Sequence, residues 1–290
     1  MIAPFLQYLQ SEKRYSAHTL RAYQSDLEQL VDYLSVSEND LPKVNYRQLR
    51  TWFAELIAQG LSTRSVNRKV SSVSAYFRYL VREGVLAQNP AEKIVNPKNG
   101  KRLPFFYKEE QLSQLLNGEV NDDYESRRNH AIVELLYGTG MRLSELVGLQ
   151  VGDVNLGSQT VKVLGKGNKQ RVIPLSPKLC EALKNYLELL SQTFAAPSES
   201  ALFRTAKGEP VYAGLVYKIV RQQLASKGVV GKKSPHVLRH SFATHMLNHG
   251  ADLNSIKDLL GHASLSATQV YTHNNIEKLM KSYHSAHPHA

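Results

Sequence analysis

The sequence predicts a mainly α-helical chain of two domains, with a small β-sheet confined to the second. Three observations predict it. Through the first hundred residues, apolar side chains recur at three- and four-residue spacing, the pattern of a single buried helical face. A polar stretch with two prolines and a glycine, Asn96–Pro104, breaks the periodicity on both sides. It divides the chain into a helical domain at 1–97, a linker at 98–104 and a second domain at 105–290. Between Val151 and Pro174, three short segments alternate apolar and polar residues in a region that is otherwise helical.

The elements follow in order. Phe5, Leu6 and Leu9 mark a first helix. Leu20, Tyr23, Leu27, Leu30, Val31 and Leu34 mark a second, which Ser16 is placed to cap. A third covers Tyr46–Ala58 and stops at Gly60. The fourth runs from Thr63 to about Glu83 and stops at Gly84, with Val66, Val70, Val73, Phe77 and Leu80 as its apolar stripe. Arg64, Asn67, Arg68 and Lys69, with Ser71 or Ser72, make a polar and basic side near its start. That side is either solvated surface or a face for a polyanion. Beyond the linker, Glu109–Leu116 and Arg128–Tyr137 read as helices, the second ended by Gly138-Thr139-Gly140. A further helix starts near Arg142 and runs through Leu143, Leu146 and Leu149. Val151–Asp153, Thr160–Leu164 and Arg171–Pro174 read as strands. The last two are joined by a hairpin at Gly165-Lys166-Gly167-Asn168-Lys169. From Pro177 the chain is helical again, broken at residues 195–197, Gly208, Gly228–Lys233, Gly250 and Gly261, and one of these helices is expected at Leu265–His273.

Composition narrows the function. With 290 residues, 42% hydrophobic and 21% charged, the chain is ordinary globular material and neither disordered nor fibrous. No apolar run approaches the ~20 residues of a membrane-spanning helix. Met1–Lys13 does not read as a signal peptide. The single cysteine, Cys180, can close no intrachain disulfide and build no thiolate zinc site, which fits a reducing cytoplasm. The formal charge of +11 points to nucleic acid before a membrane surface. Thirteen of the 36 basic and nine of the 25 acidic residues lie at or before Lys98, so both parts are basic. Nine of the eleven histidines fall between His236 and His289.

That histidine-rich end carries the chemistry. Ser234 caps a helix whose first position is Pro235, and on it His236, Arg239 and His240 share one face. A histidine and an arginine three apart at the positive end of a helix suit an anion such as phosphate. Metal is disfavoured, because His236 and His240 lack a glutamate placed as in H-E-x-x-H. His245 and His249 point to the opposite side as surface or packing residues. Farther on come Leu259-Leu260-Gly261-His262 and, nine residues after that histidine, Tyr271.

The string His236-x-x-Arg239, Leu260-Gly261-His262 and Tyr271 resembles the C-terminal boxes of the tyrosine recombinase (phage integrase) family. Leu136–Leu146 resembles the box with that family's first arginine, here Arg142, and Gly165–Lys169 resembles its lysine-bearing β-hairpin. Tyr15–Tyr23 and Arg82–Ala91 are similar as well, so the resemblance covers nearly the whole chain. Within the family it is nearest to the XerC/XerD group, down to Ala286-His287-Pro288. The resemblance implies a two-domain DNA clamp, with a helical core-binding (SAM-like) domain and an α+β catalytic domain.

It also implies six catalytic residues. Arg142 and Arg239 would neutralise the phosphoryl oxygens, bidentately as lysine cannot, and His262 would add a hydrogen bond to them. Tyr271, with an ordinary pKa near ~10, would be the nucleophile, His236 its base, and Lys166 the acid for the leaving 5′ oxygen. Glu145 would orient Arg142, unless it is an ordinary surface pair one turn away. Arg64, Asn67, Arg68 and Lys69 would contact DNA. A covalent 3′-phosphotyrosine keeps the energy of the broken bond, so neither ATP, metal nor cofactor is expected, and the sequence has no G-x-x-x-x-G-K-[ST] loop.

The implied activity is site-specific cutting and rejoining of double-stranded DNA in the cytoplasm. Four protomers, alike or with a related recombinase, would act on two sites. The implied role is resolution of chromosome dimers at cell division, with a DNA translocase as a further partner. The segment from Ile276 to His289 would dock on a neighbouring protomer or pack on its own domain. The alternatives are a mobile-element integrase, a type IB topoisomerase, and a catalytically silent DNA-binding protein on the same fold.

Overall fold

In a computed structural model, the structure describes residues 1–98, 100, 105–165, 169–194, 197, 199–261 and 273–288. The chain divides into two compact units, Met1–Arg102 and Leu103–Ala290. Most of it is helical, with one three-stranded sheet in the second unit.

The first unit contains α1 (Ile2–Ser11), α2 (Ala17–Leu34), α3 (Tyr46–Ala58) and α4 (Thr63–Arg82). Serine or asparagine side chains accept from backbone N–H groups in the first turns of α2, α3 and α4: Ser16 from Thr19, Asn45 from Gln48 and Ser62 from Ser65. The apolar faces meet in a core that includes Phe5, Leu27, Leu30, Leu49, Trp52, Val66, Val73 and Phe77. A pair of opposite charges is buried with them, Asp26 and Lys69. Asp26 on α2 is fully buried and accepts from Arg68 Nη1 at 2.5 Å, Lys69 Nζ at 2.9 Å and Ser72 Oγ at 2.9 Å, all from α4.

This differs from the polar face expected at the start of α4. Lys69 is only 3% exposed; it also donates to Gln29 Oε1 at 2.6 Å and lies 5.8 Å from the centre of the Trp52 ring. The reason is positional. Lys69 stands three residues after Val66 and four before Val73, inside the apolar stripe, so its ammonium needs a buried carboxylate. Arg68 reaches the same carboxylate and the Ala22 carbonyl, and Asn67 Nδ2 donates to the Pro97 carbonyl. Arg64 is exposed.

The second unit is built around α6 (Tyr124–Thr139), whose Ala131, Ile132, Val133, Leu135, Leu136 and Tyr137 are all buried. It packs against α8 (Pro177–Thr193), α9 (Ala213–Ser226) and α10 (Pro235–Asn248), with α5 (Glu109–Leu116) beside it. α6 starts four residues earlier than periodicity suggests, because Asp123 Oδ1 accepts from Ser126 N and caps it. It ends at Gly140 in the left-handed conformation, φ +60°. A Cβ there would lie 2.4 Å from Phe242 Cδ1 and 2.9 Å from Leu260 Cδ2, so only glycine fits this turn.

After α7 (Leu143–Val147), Val151–Asp153 is a 3-10 turn and not the expected strand. Asp153 Oδ2 accepts from Gln150 N at 2.9 Å and closes that turn. The sheet then runs β1 (Val154–Asn155), β2 (Thr160–Leu164) and β3 (Gln170–Pro174), antiparallel in that order, with Val161 opposite Ile173 and Val163 opposite Arg171. α11 (Leu253–Leu260) and α12 (His273–Ala286) complete the unit. The helix expected at Leu265–His273 lies almost wholly outside the described residues. Between α8 and α9, two isolated bridges replace continuous helix, Gln150 with Ala201 and Arg204 with Pro210. The end of the chain packs on its own unit. Tyr283 is fully buried, donates to the Gly138 carbonyl at 2.9 Å and stacks on His287. No helix among the described residues is long and apolar enough to cross a membrane.

Removing the Asp26 carboxylate alone strands the Lys69 ammonium in the core. Asp26→Ala should therefore destabilise the first unit by about 3 kcal/mol. The double change Asp26→Leu with Lys69→Met should cost much less. Urea unfolding of the full-length protein, followed by the fluorescence of Trp52, checks both.

Candidate active site

The site begins where α6 ends. The left-handed turn at Gly140 releases the chain so that Arg142 becomes the residue before α7. Its backbone N–H donates to Glu145 Oε2 at 2.7 Å and its Nη1 to Glu145 Oε1 at 2.8 Å. Glu145 therefore closes the first turn of α7 and grips the arginine side chain at once. The third bond on Arg142 runs from Nη2 to the Gly261 carbonyl at 3.1 Å. Glu145 is buried, whereas the Arg142 side chain is 39% exposed.

Arg239 approaches from α10. Ser234 Oγ accepts from Val237 N at the start of that helix, and Pro235 occupies its first position. One turn on, Arg239 Nη1 donates to the Gly140 carbonyl at 2.6 Å and Nη2 to the Leu260 carbonyl at 2.8 Å. Each of these nitrogens carries a second N–H, so the two bonds fix the guanidinium without exhausting its donors. Burial, then the neighbouring Arg142 and Arg171 cations, pull its pKa down to about 10 against the opposing pull of Glu145, and it stays cationic at neutral pH. Arg142 and Arg239 thus meet at the same two turns, the end of α6 and the end of α11.

A third arginine, Arg171 on β3, joins the site although it lies in none of the motifs singled out from the sequence. It is 5% exposed and donates to both oxygens of Glu145, Nη1 to Oε1 at 2.9 Å and Nη2 to Oε2 at 2.8 Å, with Nε to the Leu259 carbonyl at 2.8 Å. A signal was present. Strand alternation puts Arg171 on the same face as buried Ile173, and a cation on an inward face requires a carboxylate. Burial alone would raise the Glu145 pKa, but the Arg171 hydrogen bonds, the Arg142 N–H and the two cations outweigh it and hold the carboxyl down to about 2. Gly261 lies against this arginine with φ +64°, and a Cβ on it would come within 3.1 Å of Arg171 Nη1. Gly165, at the base of the β2–β3 hairpin, bonds through its N–H to the Lys169 carbonyl at 2.8 Å. A Cβ on it would lie 3.6 Å from Arg171 Nη1 and 3.7 Å from Glu145 Oε1.

Of the residues expected in the site, Arg142, Glu145 and Arg239 come together. His236 is exposed in the first turn of α10, one turn before Arg239. Lys166, His262 and Tyr271 lie outside the described residues. The segments that lead to two of them do not: Gly165 precedes Lys166, and Gly261 precedes His262. His245 is a buried packing residue, with Nδ1 2.9 Å from Tyr137 OH and Nε2 2.9 Å from the Tyr107 carbonyl oxygen, and burial lowers its pKa. His249 pairs with Glu109 at 3.1 Å. Among the described residues, no group of His, Cys, Asp and Glu could hold a metal ion. Three guanidiniums and one carboxylate leave two net positive charges beside the partly exposed Arg142. Such a cluster can seat a phosphate and stabilise the charge it gains in a transition state.

Residues 106–278 match the phage integrase family, and residues 2–84 match the phage integrase N-terminal SAM-like domain. The chain is 42% identical to the tyrosine recombinase XerC of Stutzerimonas stutzeri (strain A1501), covering 99% of this chain and 95% of that one. It is 40% identical to XerC of Bacillus pumilus (strain SAFR-032), over 99% and 95%. It is 37% identical to XerC of Chlorobaculum tepidum, over 100% and 94%. The fold is similar to that of XerH site-specific recombinase bound to a palindromic difH substrate in a post-cleavage complex, with a TM-score of 0.73 at 24% identity over 97% of this chain and 84% of that chain. It is also similar to a lambda integrase (75–356) dimer bound to a COC′ core site, with a TM-score of 0.69 at 16% identity over 93% and 97%.

The depressed pKa of Glu145 gives a stability contribution that is fully present above its ordinary value of 4.5 and is lost as pH falls toward about 2. Glu145→Gln should therefore be less stable than the parent at pH 7, and the gap should close between pH 4.5 and pH 2. Urea midpoints of the two proteins across that range check it.

Proposed function

The chain belongs to the phage integrase family, the tyrosine recombinases, which cut and rejoin DNA, and on that premise we propose that it resolves chromosome dimers to monomers for segregation at cell division. The observation that carries this reading is likeness along the whole length, 37–42% identity to XerC proteins over 99–100% of the chain. The Arg142–Glu145–Arg239 cluster supports it with a positively charged place in which a phosphate could sit.

The proposed reaction needs only side chains. The scissile phosphate sits against Arg142 and Arg239, with His262 donating to the same oxygens. Tyr271 attacks phosphorus, and its proton passes to His236. A bond forms between phosphorus and the tyrosyl oxygen while the bond to the 5′ oxygen breaks, and Lys166 gives that oxygen a proton. The product is a 3′-phosphotyrosyl protein and a free 5′ hydroxyl. Attack by a 5′ hydroxyl from the partner duplex reverses the step and rejoins the strand without a nucleotide.

The DNA is a double-stranded recombination site, bound two sites at a time by four protomers, either copies of this chain or a related recombinase. A cell-division DNA translocase would act on that assembly. In the first unit, exposed Arg64 and half-exposed Arg68 are the proposed phosphate contacts. Lys69 is buried against Asp26 and has no path to a phosphate without breaking that pair.

Crosslinking the protein to DNA in cells and sequencing the bound fragments should recover one site near the replication terminus. Recovery of the ends of an inserted element instead would replace this reading with that of a mobile-element integrase. On a nicked suicide duplex carrying the recovered site, the wild-type chain should form a covalent adduct. Tyr271→Phe should form none while binding the duplex almost unchanged. An adduct that persists in the variant would mean that another residue is the nucleophile.

A further inference from the structure

We propose that Arg171 is a positioning residue for DNA cleavage: by matching the charge of Glu145 from the buried side, it leaves Arg142 firmly held yet still cationic toward the scissile phosphate. This rests on the recombinase reading above and adds to it a residue outside the catalytic six.

The geometry of Glu145 carries the proposal. Each of its oxygens accepts one bond from Arg142 and one from Arg171: Oε1 from the two Nη1 atoms, and Oε2 from Arg142 N and Arg171 Nη2. The carboxylate side chain is 3% exposed and Arg171 is 5% exposed, while the Arg142 side chain is 39% exposed. The buried Arg171 cation and the buried Glu145 anion thus form a balanced pair below, so that Glu145 does not cancel the partly exposed charge of Arg142. Without Arg171, the carboxylate would have Arg142 as its nearest counter-ion. Two parallel N–H bonds to Glu145 would then be the strongest arrangement open to that guanidinium. Such pairing would neutralise Arg142 and turn its donors away from substrate.

The same side chain fixes the surroundings. Its Nε bond to Leu259, beside the left-handed Gly261 that packs closely on it, holds the end of α11 whose carbonyls at Leu260 and Gly261 receive Arg239 and Arg142. Arg171 is therefore tied to both phosphate-binding arginines, through Glu145 to one and through the end of α11 to the other, without itself reaching the surface. A lysine in its place would keep the charge but could not serve both oxygens and a carbonyl from one rigid plane.

A substrate that needs no charge neutralisation tests this. Single-turnover adduct formation is measured on the recovered-site suicide duplex with the natural scissile phosphate, and on the same duplex with a neutral methylphosphonate at that position. Arg171→Met should slow the phosphate reaction roughly 100-fold and the methylphosphonate reaction less than about threefold, with Arg171→Lys between parent and Met on phosphate. In an Arg142→Ala background, Arg171→Met should add less than about threefold on phosphate, because the group it positions is already gone. Equal slowing on both substrates, or a multiplicative loss in the double variant, would overturn the role and leave Arg171 a stabilising residue. If Arg171→Met does not fold, the ratio of the two rates for Arg171→Lys decides by the same criterion. Absence of an adduct with the wild-type chain would overturn the recombinase reading and this one together. An adduct with an unchanged substrate ratio would overturn only this one.

Discussion

A carboxylate buried among the ends of three elements organises the catalytic unit. Glu145 leaves water for a site where its charge is tolerable only if every lone pair is met, and four N–H groups from Arg142 and Arg171 meet them. Meeting them draws α7, β3 and, through Leu259, the end of α11 to one point. The glycines follow from this crowding. At Gly261 a Cβ would press on the Arg171 side chain at 3.1 Å, and the left-handed turn there, which favours glycine, ends α11 where its carbonyls can serve Arg142 and Arg239.

The two proposed phosphate-binding arginines face the same physical problem, since a cation has to be immobilised without being neutralised. Arg239 is held by two neutral carbonyls, Gly140 and Leu260, which orient it and leave its charge intact. Arg142 is held by a carboxylate, which would cancel it were the carboxylate not shared with Arg171. Both solutions rely on the turns at Gly140 and Gly261, so the backbone turns and the charged side chains stabilise one another. Asp26 in the first unit shows a related arrangement: a buried anion met by Lys69 and Arg68 from a single neighbouring helix, with Lys69 consumed in the pairing and Arg68 left partly exposed.

The helices of the first unit were legible because their cause is local. The apolar stripe of α4 and the stop at Gly84 are written at three- and four-residue spacing, and Tyr46–Ala58 was readable to its ends. Departures came where a side chain acts at short range on the backbone, as Asp123 does in starting α6 early and Asp153 does in making a turn of an expected strand. Grouping Lys69 with Arg64 and Arg68 failed for a different reason. Its place in the stripe was visible, but the partner that lets a lysine stay there lies on another helix. In the candidate site, the pairing of Arg142 with Glu145 three residues on was readable. The pairing of Arg171 with Glu145 was not, although the inward position of Arg171 on β3 hinted at it.

The sequence by itself determined the helical periods, the break near residue 100, the excess of positive charge and the placing of Glu145 one turn after Arg142. These are properties of composition and of spacing within one turn or one strand, and no distant residue can change them. The tertiary structure decided which cations are exposed to a ligand and which are consumed in holding the fold. That depends on pairs separated by 26 residues for Glu145 and Arg171, 43 for Asp26 and Lys69, and 119 for Arg142 and Gly261. Charge is additive along a chain, but its availability is set by burial and by the nearest opposite charge, and both exist only once the elements have packed.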